Sequence, residues 1–495
     1  MFTKILIANR GEIAVRIMRT CREMGISTVA IYSDADSRSL HVLSADQAVY
    51  LGEAEPSKSY LNIDKIINAA KSTGAEAIHP GYGFLAENAD FAERCKSSGL
   101  TFIGPPPQVI RDLGDKITAR KIMTAGGVPV IPGTMECIDN IAAVAADAER
   151  IGYPVLVKAA AGGGGKGMRV VDNPEDLGEA CNASSSEAAG AFGDGSIFIE
   201  KYLSPSRHVE FQILADSYGN VIHLNERECS IQRRHQKVIE ETPSPIMTPE
   251  LKEKMGAAAV AAARASGYCN AGTVEFIVDC HGNFFFLEVN TRLQVEHPVT
   301  EMTTGIDLVR YQISIAAGEK LSLAQEDISA KGHAIECRIY AEDPEEGFFP
   351  SPGTIHYMKE PSGPGIRNDC GVYTGCTVPF EYDPIVSKLV VHGNTRQDAI
   401  SRMIRALQEY IILGIKTPVP FLIDVLKSEP FLNGETYTDF IDTHFRDWSM
   451  DRKNLHTARI AFLVDEMLPA KQQVSRGNGI LSSRSPWQTL GNWRL

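Results

Sequence analysis

The sequence lacks the features that would place it in a membrane, outside the cell or on nucleic acid. Across 495 residues no apolar run approaches the roughly 20 residues that a bilayer-spanning helix needs. The opening MFTKILIANRGEIAVR enters strand and helix pattern directly, without the layout of a signal peptide. Basic residues are outnumbered, 49 Lys and Arg against 62 Asp and Glu. The formal charge of −13 argues against broad binding to nucleic acid or to an anionic membrane, while leaving room for a local basic pocket. Ten cysteines are scattered without paired metal-site spacing and read as reduced thiols of a cytoplasmic protein. Asn9-Arg10-Gly11, ahead of the first helical pattern, is not a GxGxxG fingerprint, so dinucleotide binding is not inferred. No strong internal repeat is visible.

What is present is an ordinary globular composition, 43% hydrophobic and 22% charged, in a chain long enough for about three domains. Residues 1–112 alternate strand and helix signals: strands at 5–8, 28–32, 77–79 and 101–103, and an amphipathic helix at 12–24. That is the rhythm of a doubly wound, Rossmann-like parallel sheet in an α/β fold. Residues 113–330 hold a helix at 116–123, a strand-rich stretch around a glycine loop (a lid at about 130–205) and an Ala-rich helix at 249–266. A mixed α+β region follows at 331–450, with a strand at 333–340 and a helix expected over 398–413. Residues 451–495 end in a polar, Gly/Ser-rich tail or linker.

The run FFFLEVNTRLQVEHP, residues 284–298, carries the most information. Read as one extended strand, it projects Glu288, Asn290, Arg292, Gln294 and Glu296 to one face and Leu287, Val289, Thr291, Leu293 and Val295 to the other. The preceding GTVEFIVDCHGN makes a second strand, joined to it by a two-residue His281-Gly282 turn. In that register Glu275 lies opposite Glu288. At about 5 Å and an effective dielectric of about 20, two carboxylates repel by roughly 3 kcal/mol, whereas a favourable cross-strand pair returns about 0.2–1 kcal/mol. A hard divalent cation held by carboxylate and amide oxygens would compensate. A solvated charged strand is the alternative.

Two other motifs bear on chemistry. Lys158 leads into Gly162-Gly163-Gly164-Gly165-Lys166-Gly167. Glycines let backbone amides approach anionic oxygens, and the flanking lysines add charge. Gly167 stands where a Walker A loop has Ser or Thr, and a strand follows instead of a helix, so the stretch reads as a lid over phosphates between two strands. NERECSIQRRHQKVIEE, residues 225–241, concentrates Arg227, Arg233, Arg234, His235 and Lys237, a candidate anion pocket. Together these parts point to metal-assisted phosphoryl transfer onto an anionic acceptor.

These stretches also carry a resemblance. ILIANRGEIAVRI, HPGYGFLAEN, GGGGKGMR, CSIQRRHQKVIEE, FLEVNTRLQVEHPVTE, HAIECRIYAEDP, FFPSPG and YDPIVSKL, in this order from about residue 2 to 450, resemble the biotin carboxylase component of biotin-dependent carboxylases. The resemblance implies an ATP-grasp fold: an N-terminal domain at 1–112, an ATP-grasp domain at 113–330 with a mobile glycine-rich lid, and a C-terminal domain at 331–450. It implies that Lys116, Lys158, Gly164, Gly165, Lys166, Glu200, Lys201, Leu203, His208, Gln232 and His235 contact ATP. Glu275, Glu288 and Asn290 match ligands of two Mg2+ or Mn2+ ions, the two glutamates also counting among the nucleotide-site residues. Lys237, Arg292, Gln294 and Val295 match a bicarbonate site. Glu296 matches the base that deprotonates bicarbonate, and Arg338 the residue that stabilises the biotin enolate.

The chain contains no Met-Lys-Met attachment sequence, so the resemblance implies biotin on a separate carrier protein, with a carboxyltransferase as a further partner and a homodimer as the assembly. The tail SPWQTLGNWRL favours an acyl-CoA carboxylase over a pyruvate or 2-oxoglutarate carboxylase. The competing readings are another ATP-grasp carboxylate–amine ligase and a catalytically silent nucleotide-binding scaffold.

Overall fold

Apolar strands alternating with amphipathic helices near the amino terminus fold as they read. In a computed structural model describing residues 1–137, 141–160, 167–452 and 460, five strands form a parallel sheet. They are β1 (Lys4–Ile7), β2 (Ser27–Ser33), β3 (Gln47–Gly52), β4 (Ala77–His79) and β5 (Thr101–Phe102), in the order β3-β2-β1-β4-β5. Ile5, Leu6 and Ile7 are wholly buried, as a strand covered on both faces requires. The helix Gly11–Glu23 buries Ile13, Ala14, Ile17 and Met18, the spacing of one helical face. Strand order reverses beside β1. Asn9, Arg10 and Gly11 after β1, and Tyr82, Gly83 and Phe84 after β4, line the cavity described below, where ligands of open α/β sheets bind.

The glycine loop connects β6 (Val155–Ala159) to β7 (Arg169–Val171), which pair antiparallel with Val155 opposite Val171. β6 pairs on its other side with β8 (Ile197–Lys201). Leu177 and Cys181 of the helix Leu177–Phe192 pack on Val155, Val157 and Ile199. Gly164, Gly165 and Lys166 lie outside the described residues.

Eight antiparallel strands form the largest sheet: β9 (Ser206–Ala215), β10 (Val221–Arg233), β11 (Gln236–Thr242), β12 (Asn270–Asp279), β13 (Phe284–Asn290), β14 (His333–Tyr340), β15 (Ile366–Cys370) and β16 (Ile385–Gly393). Their order is β13-β12-β9-β10-β11-β14-β16-β15. The sheet runs without a break across residue 331, and Met1–Trp448 make one compact unit. Phe211, Phe276 and Phe286 pack with Met255 and Ala259 of the helix Pro249–Ala265. Ile400, Met403 and Leu407 of the helix Arg396–Glu409 pack with Ile335, Cys337 and Leu389. That helix is shorter than the expected 398–413, because Ile411, Ile412 and Leu413 leave it to pair with Lys359, Met358 and Tyr357.

The hairpin β12–β13 differs from expectation in two ways that cancel. Its loop is longer than the two-residue His281-Gly282 turn, with Val278 opposite Phe284 and the Asp279 carboxylate accepting from the backbone of His281 and Asn283. A one-residue bulge then falls between Phe286 and Glu288. The bulged residue, Leu287, turns to the cavity instead of the core, and Glu275 ends up opposite Glu288 as expected. The strand does not run on to residue 298. It stops at Asn290, an irregular segment follows, and the helix His297–Thr304 begins with Pro298 in its first turn. β13 is the edge strand of the sheet and is met on its outer side by a parallel bridge from Val130 to Phe286; beyond Asn290, Thr291 and Arg292 are drawn to Glu87.

Candidate active site

A cavity of about 770 Å³ is lined by the segments that follow β1 and β4, by residues of the lid sheet and of the eight-stranded sheet, and by the segment after β13. Every described residue to which the resemblance assigns a role reaches it: Lys116, Lys158, Glu200, Lys201, Leu203, His208, Gln232, His235, Lys237, Glu275, Glu288, Asn290, Arg292, Gln294, Val295, Glu296 and Arg338.

One end is built on the lid sheet. Lys158 (β6) and Glu200 (β8) are buried. The Glu200 carboxylate accepts from Lys158 Nζ at 2.9 Å and from Arg120, while Arg120 Nη2 also donates to the Ile131 carbonyl at 2.7 Å. Glu200 therefore holds Lys158 in place instead of leaving it free. Lys116 opens the helix Lys116–Ala125; burial, then the charge of Lys158, lowers its pKa. Lys201 Nζ donates to the carbonyls of Gly152 and Tyr153. Gln232 Nε2 contacts His208 Nδ1 at 2.8 Å, and His208 Nε2 lies 2.9 Å from Glu275 Oε2. Burial opposes a charge on His208, but Glu275 outweighs it and raises the pKa.

The other end is organised by Lys237 on β11. Its Nζ lies 2.8 Å from Glu275 Oε1 and 2.6 Å from Glu296 Oε1, and also contacts Glu210. Glu296 stands at the N-terminal end of the helix His297–Thr304 without a capping hydrogen bond from its side chain, where the helix dipole favours a negative charge, and its second oxygen accepts from Arg338 Nη2 at 3.0 Å. Burial would raise both carboxylates. Lys237, joined by His208 at Glu275 and by Arg338 at Glu296, instead holds them below the usual range. Gln294 Nε2 and Asn290 Nδ2 each donate to Glu275 Oε1 at 2.8 Å. Arg292 Nη2 donates to Asn290 Oδ1 at 2.8 Å, and its Nε to Glu87 Oε2 at 2.8 Å. The Val295 carbonyl accepts from Lys388 Nζ at 3.0 Å.

Glu288 differs from its partner. It faces the cavity, accepts no hydrogen bond among the described residues, and has a pKa raised by burial and then by Glu275. Two carboxylates and an amide oxygen at adjacent strand positions are the donor set of a hard divalent cation, and an under-coordinated Glu288 fits that role.

Two expectations change. Arg292, Gln294 and Glu296 do not share one strand face; they sit on the irregular segment and its helix cap, yet still converge with Lys237. The basic cluster is not one anion pocket either. Arg227 is wholly buried, bonded to Glu210, Gln212, Thr273, Gln294 and Thr300. Arg233 pairs with Glu342, and Arg234 is exposed at the β10–β11 turn with positive φ. Sequence reasoning assigned nothing to Glu87, Arg120, Glu210 or Glu240, which anchor Arg292, Glu200, Lys237 and Arg338. Glu87 lay within HPGYGFLAEN and Glu240 within CSIQRRHQKVIEE; Arg120 and Glu210 carried no signal beyond a charge in an apolar helix or strand.

Three family models match in sequence order. Residues 1–110 match the biotin carboxylase N-terminal domain, 115–324 the carbamoyl-phosphate synthase L chain ATP-binding domain, and 336–443 the biotin carboxylase C-terminal domain. A pyruvate carboxylase subunit of Methanothermobacter thermautotrophicus is 56% identical over 475 residues, 95% of this chain and 96% of that protein. Biotin carboxylase 2 of Bacillus subtilis is 55% identical over 444 residues, 90% of this chain and 100% of that protein. Among solved structures, the biotin carboxylase domain dimer of Hydrogenobacter thermophilus 2-oxoglutarate carboxylase, in complex with MgADP, ADP and bicarbonate, superposes with a TM-score of 0.87. It is 49% identical, covering 90% of this chain and 98% of that one.

Proposed function

The chain belongs to the biotin carboxylase family, and from that premise we propose how its residues divide the ATP-dependent carboxylation of biotin by bicarbonate. The observation that carries this reading is the Glu296 carboxylate held between Lys237 and Arg338 on the cavity wall. A base, an anion-binding ammonium and an enolate-stabilising guanidinium thus meet at one point.

Bicarbonate is a poor electrophile because its carbon bears no good leaving group. Transfer of the ATP γ-phosphoryl group gives carboxyphosphate and ADP, and carboxyphosphate releases carbon dioxide beside the biotin ureido nitrogen. The nascent phosphate takes the ureido proton, and Arg338 stabilises the enolate. Glu275, Glu288 and Asn290 would hold two Mg2+ or Mn2+ ions, which supply charge neutralisation of the ATP phosphates. Lys116, Lys158 and the loop of Gly164, Gly165 and Lys166 serve the phosphates; Glu200, Lys201, Leu203, His208, Gln232 and His235 serve the rest of the nucleotide. Arg292 offers bicarbonate a planar fork that a lysine cannot reproduce, with Lys237, Gln294 and Val295 beside it.

Lys237 and Arg338 hold Glu296 ionised, so that its carboxylate is free of a proton and able to accept one from bicarbonate. Glu296→Ala and Arg292→Ala are expected to fold normally and to lose biotin carboxylation; unchanged turnover in either would remove its assignment.

Biotin arrives on a separate carrier protein, and a carboxyltransferase uses the product. The assembly is a homodimer, as in the Hydrogenobacter structure. Among the described residues no helix is long and apolar enough to cross a membrane, and the cysteines other than Cys137 are free thiols, which supports a cytoplasmic location. The tail that favours an acyl-CoA acceptor lies outside the described residues, and similar proteins include pyruvate and 2-oxoglutarate carboxylase components. The final acceptor is set by the carboxyltransferase.

A further inference from the structure

A second pair of opposed carboxylates lies behind Arg338. Glu240 on β11 is the cross-strand partner of Glu336 on β14, and both are wholly buried. One oxygen of Glu240 accepts from Arg338 Nε at 2.6 Å. Its other oxygen, and both oxygens of Glu336, are buried without a hydrogen-bond partner among the described residues. Directly opposed residues on antiparallel strands are near neighbours, and two buried carboxylates this close do not both ionise.

The surrounding charges lead the same way. Arg338 is shared with Glu296. Lys388, also wholly buried, lies 3.3 Å from Glu12 Oε2 and donates to the Val295 carbonyl. Two cations therefore face Glu12, Glu240, Glu296 and Glu336; Lys237 also acts on Glu240, but its ammonium is in contact with Glu210, Glu275 and Glu296. Burial, then Glu240, holds Glu336 well above the usual carboxylate range, and burial raises Glu240 less, against the pull of Arg338.

We propose that Glu240 and Glu336 are a positioning pair for Arg338 that holds a single proton, Glu240 being the carboxylate that fixes Nε and Glu336 the carboxylic acid behind it. Two negative charges there would draw the guanidinium away from the cavity, and none would free its Nε edge. One proton leaves a net charge of −1 on the Nε side, so that Nη2 faces Glu296 and the enolate that forms there. The role given to Arg338 rests on the biotin carboxylase reading; the shared proton does not.

The test uses the full chain and two rates: bicarbonate-dependent ATP cleavage without biotin, and carboxylation of free biotin. Glu240→Gln is expected to lower carboxylated biotin per ATP cleaved by about ten-fold, through a misplaced Arg338, while ATP cleavage without biotin stays within about three-fold. Glu336→Gln, neutral like the acid it replaces, is expected to keep both rates within about two-fold. The unaltered protein should show a protonated-carboxyl infrared band at neutral pH that Glu336→Gln lacks. If Glu240→Gln folds poorly, Glu240→Asp, which withdraws the carboxylate by one methylene, should give the same split. The proposal is overturned if Glu336→Gln uncouples as Glu240→Gln does, if Glu240→Gln loses both rates in equal proportion, or if the band is missing. Absence of biotin carboxylation in the unaltered protein would instead sink the family reading, and the band would still decide the shared proton.

Discussion

Replacing Lys237 by methionine keeps the side chain as far as its ε carbon but removes an ammonium that three buried carboxylates share. Its Nζ lies 2.8 Å from Glu275 and 2.6 Å from Glu296, and also contacts Glu210. At about 2.7 Å and an effective dielectric of about 20, each such pair attracts by about 6 kcal/mol. Desolvation of the ammonium and the carboxylates offsets most of that. Removing one partner of a buried charged set has a net effect of about 3–5 kcal/mol. For the unit Met1–Trp448, an unfolding entropy of about 2.1 cal/mol/K per residue amounts to about 0.9 kcal/mol/K, so Tm should fall by about 3–5 °C.

The pH dependence of that gap has a defined sign. Burial would raise Glu275 and Glu296, but Lys237 holds both below the usual carboxylate range. Their stabilising contribution is full above the unfolded carboxylate value of about 4.3 and is lost as pH falls through the lower folded values. Without Lys237, burial dominates at these sites. The variant then takes up protons at higher pH, which relieves its deficit. In scanning calorimetry with chelator present, the Tm gap should be widest near neutral pH and narrow toward about pH 5. A gap below about 1 °C at neutral pH, or one that widens on acidification, would refute the reasoning.

Two further outcomes follow from the same network. Glu87→Gln leaves Arg292 without its carboxylate; Glu87 is partly exposed, so stability should change by less than about 1 kcal/mol. The bicarbonate KM should rise about 3- to 10-fold with kcat less affected, and an unchanged KM in a bicarbonate titration would show that Glu87 does not position Arg292. Chelation of divalent metal should abolish ATP cleavage, and Mg2+ or Mn2+ should restore it. Full turnover after exhaustive chelation would count against the facing carboxylates as a metal site.

How far the sequence could be read depended on which forces set each element. The parallel sheet was legible because Ile5–Ile7 and the helix after it follow simple burial periods. The Glu275–Glu288 register was legible only because two irregularities cancel: a longer loop shifts the strands by one residue, and the Leu287 bulge shifts them back. Neither leaves a mark in period-two patterning. The run past Asn290 misled because alternation of apolar and polar residues continued to Val295. Thr291 and Arg292 instead turn to Glu87 in a distant segment, a contact that alternation does not encode. Arg227 and Lys237 looked like parts of one anion pocket because charge in sequence does not reveal which carboxylates will surround it. Glu210, Glu240 and Glu87 come from three separate segments, and no local pattern ties them to the cations they hold.

The two opposed carboxylate pairs show where local reading reaches its end. Glu275–Glu288 and Glu240–Glu336 have the same relation on the same sheet, each a directly opposed antiparallel pair, and like charge makes each unstable unless something positive intervenes. Their surroundings decide what that is. Glu288 faces an open cavity of about 770 Å³ beside Asn290, so a hydrated dication can reach the first pair. Glu336 has no exposed surface and stands behind Arg338, so a proton is the cation small enough to reach the second without displacing packed side chains. An exchangeable metal suits the end where ATP enters and leaves, whereas a buried proton suits a support that must not change during turnover. The chelation experiment and the infrared band therefore test one physical claim at two depths of the same sheet: removing metal should silence the first pair and leave the second pair's proton in place.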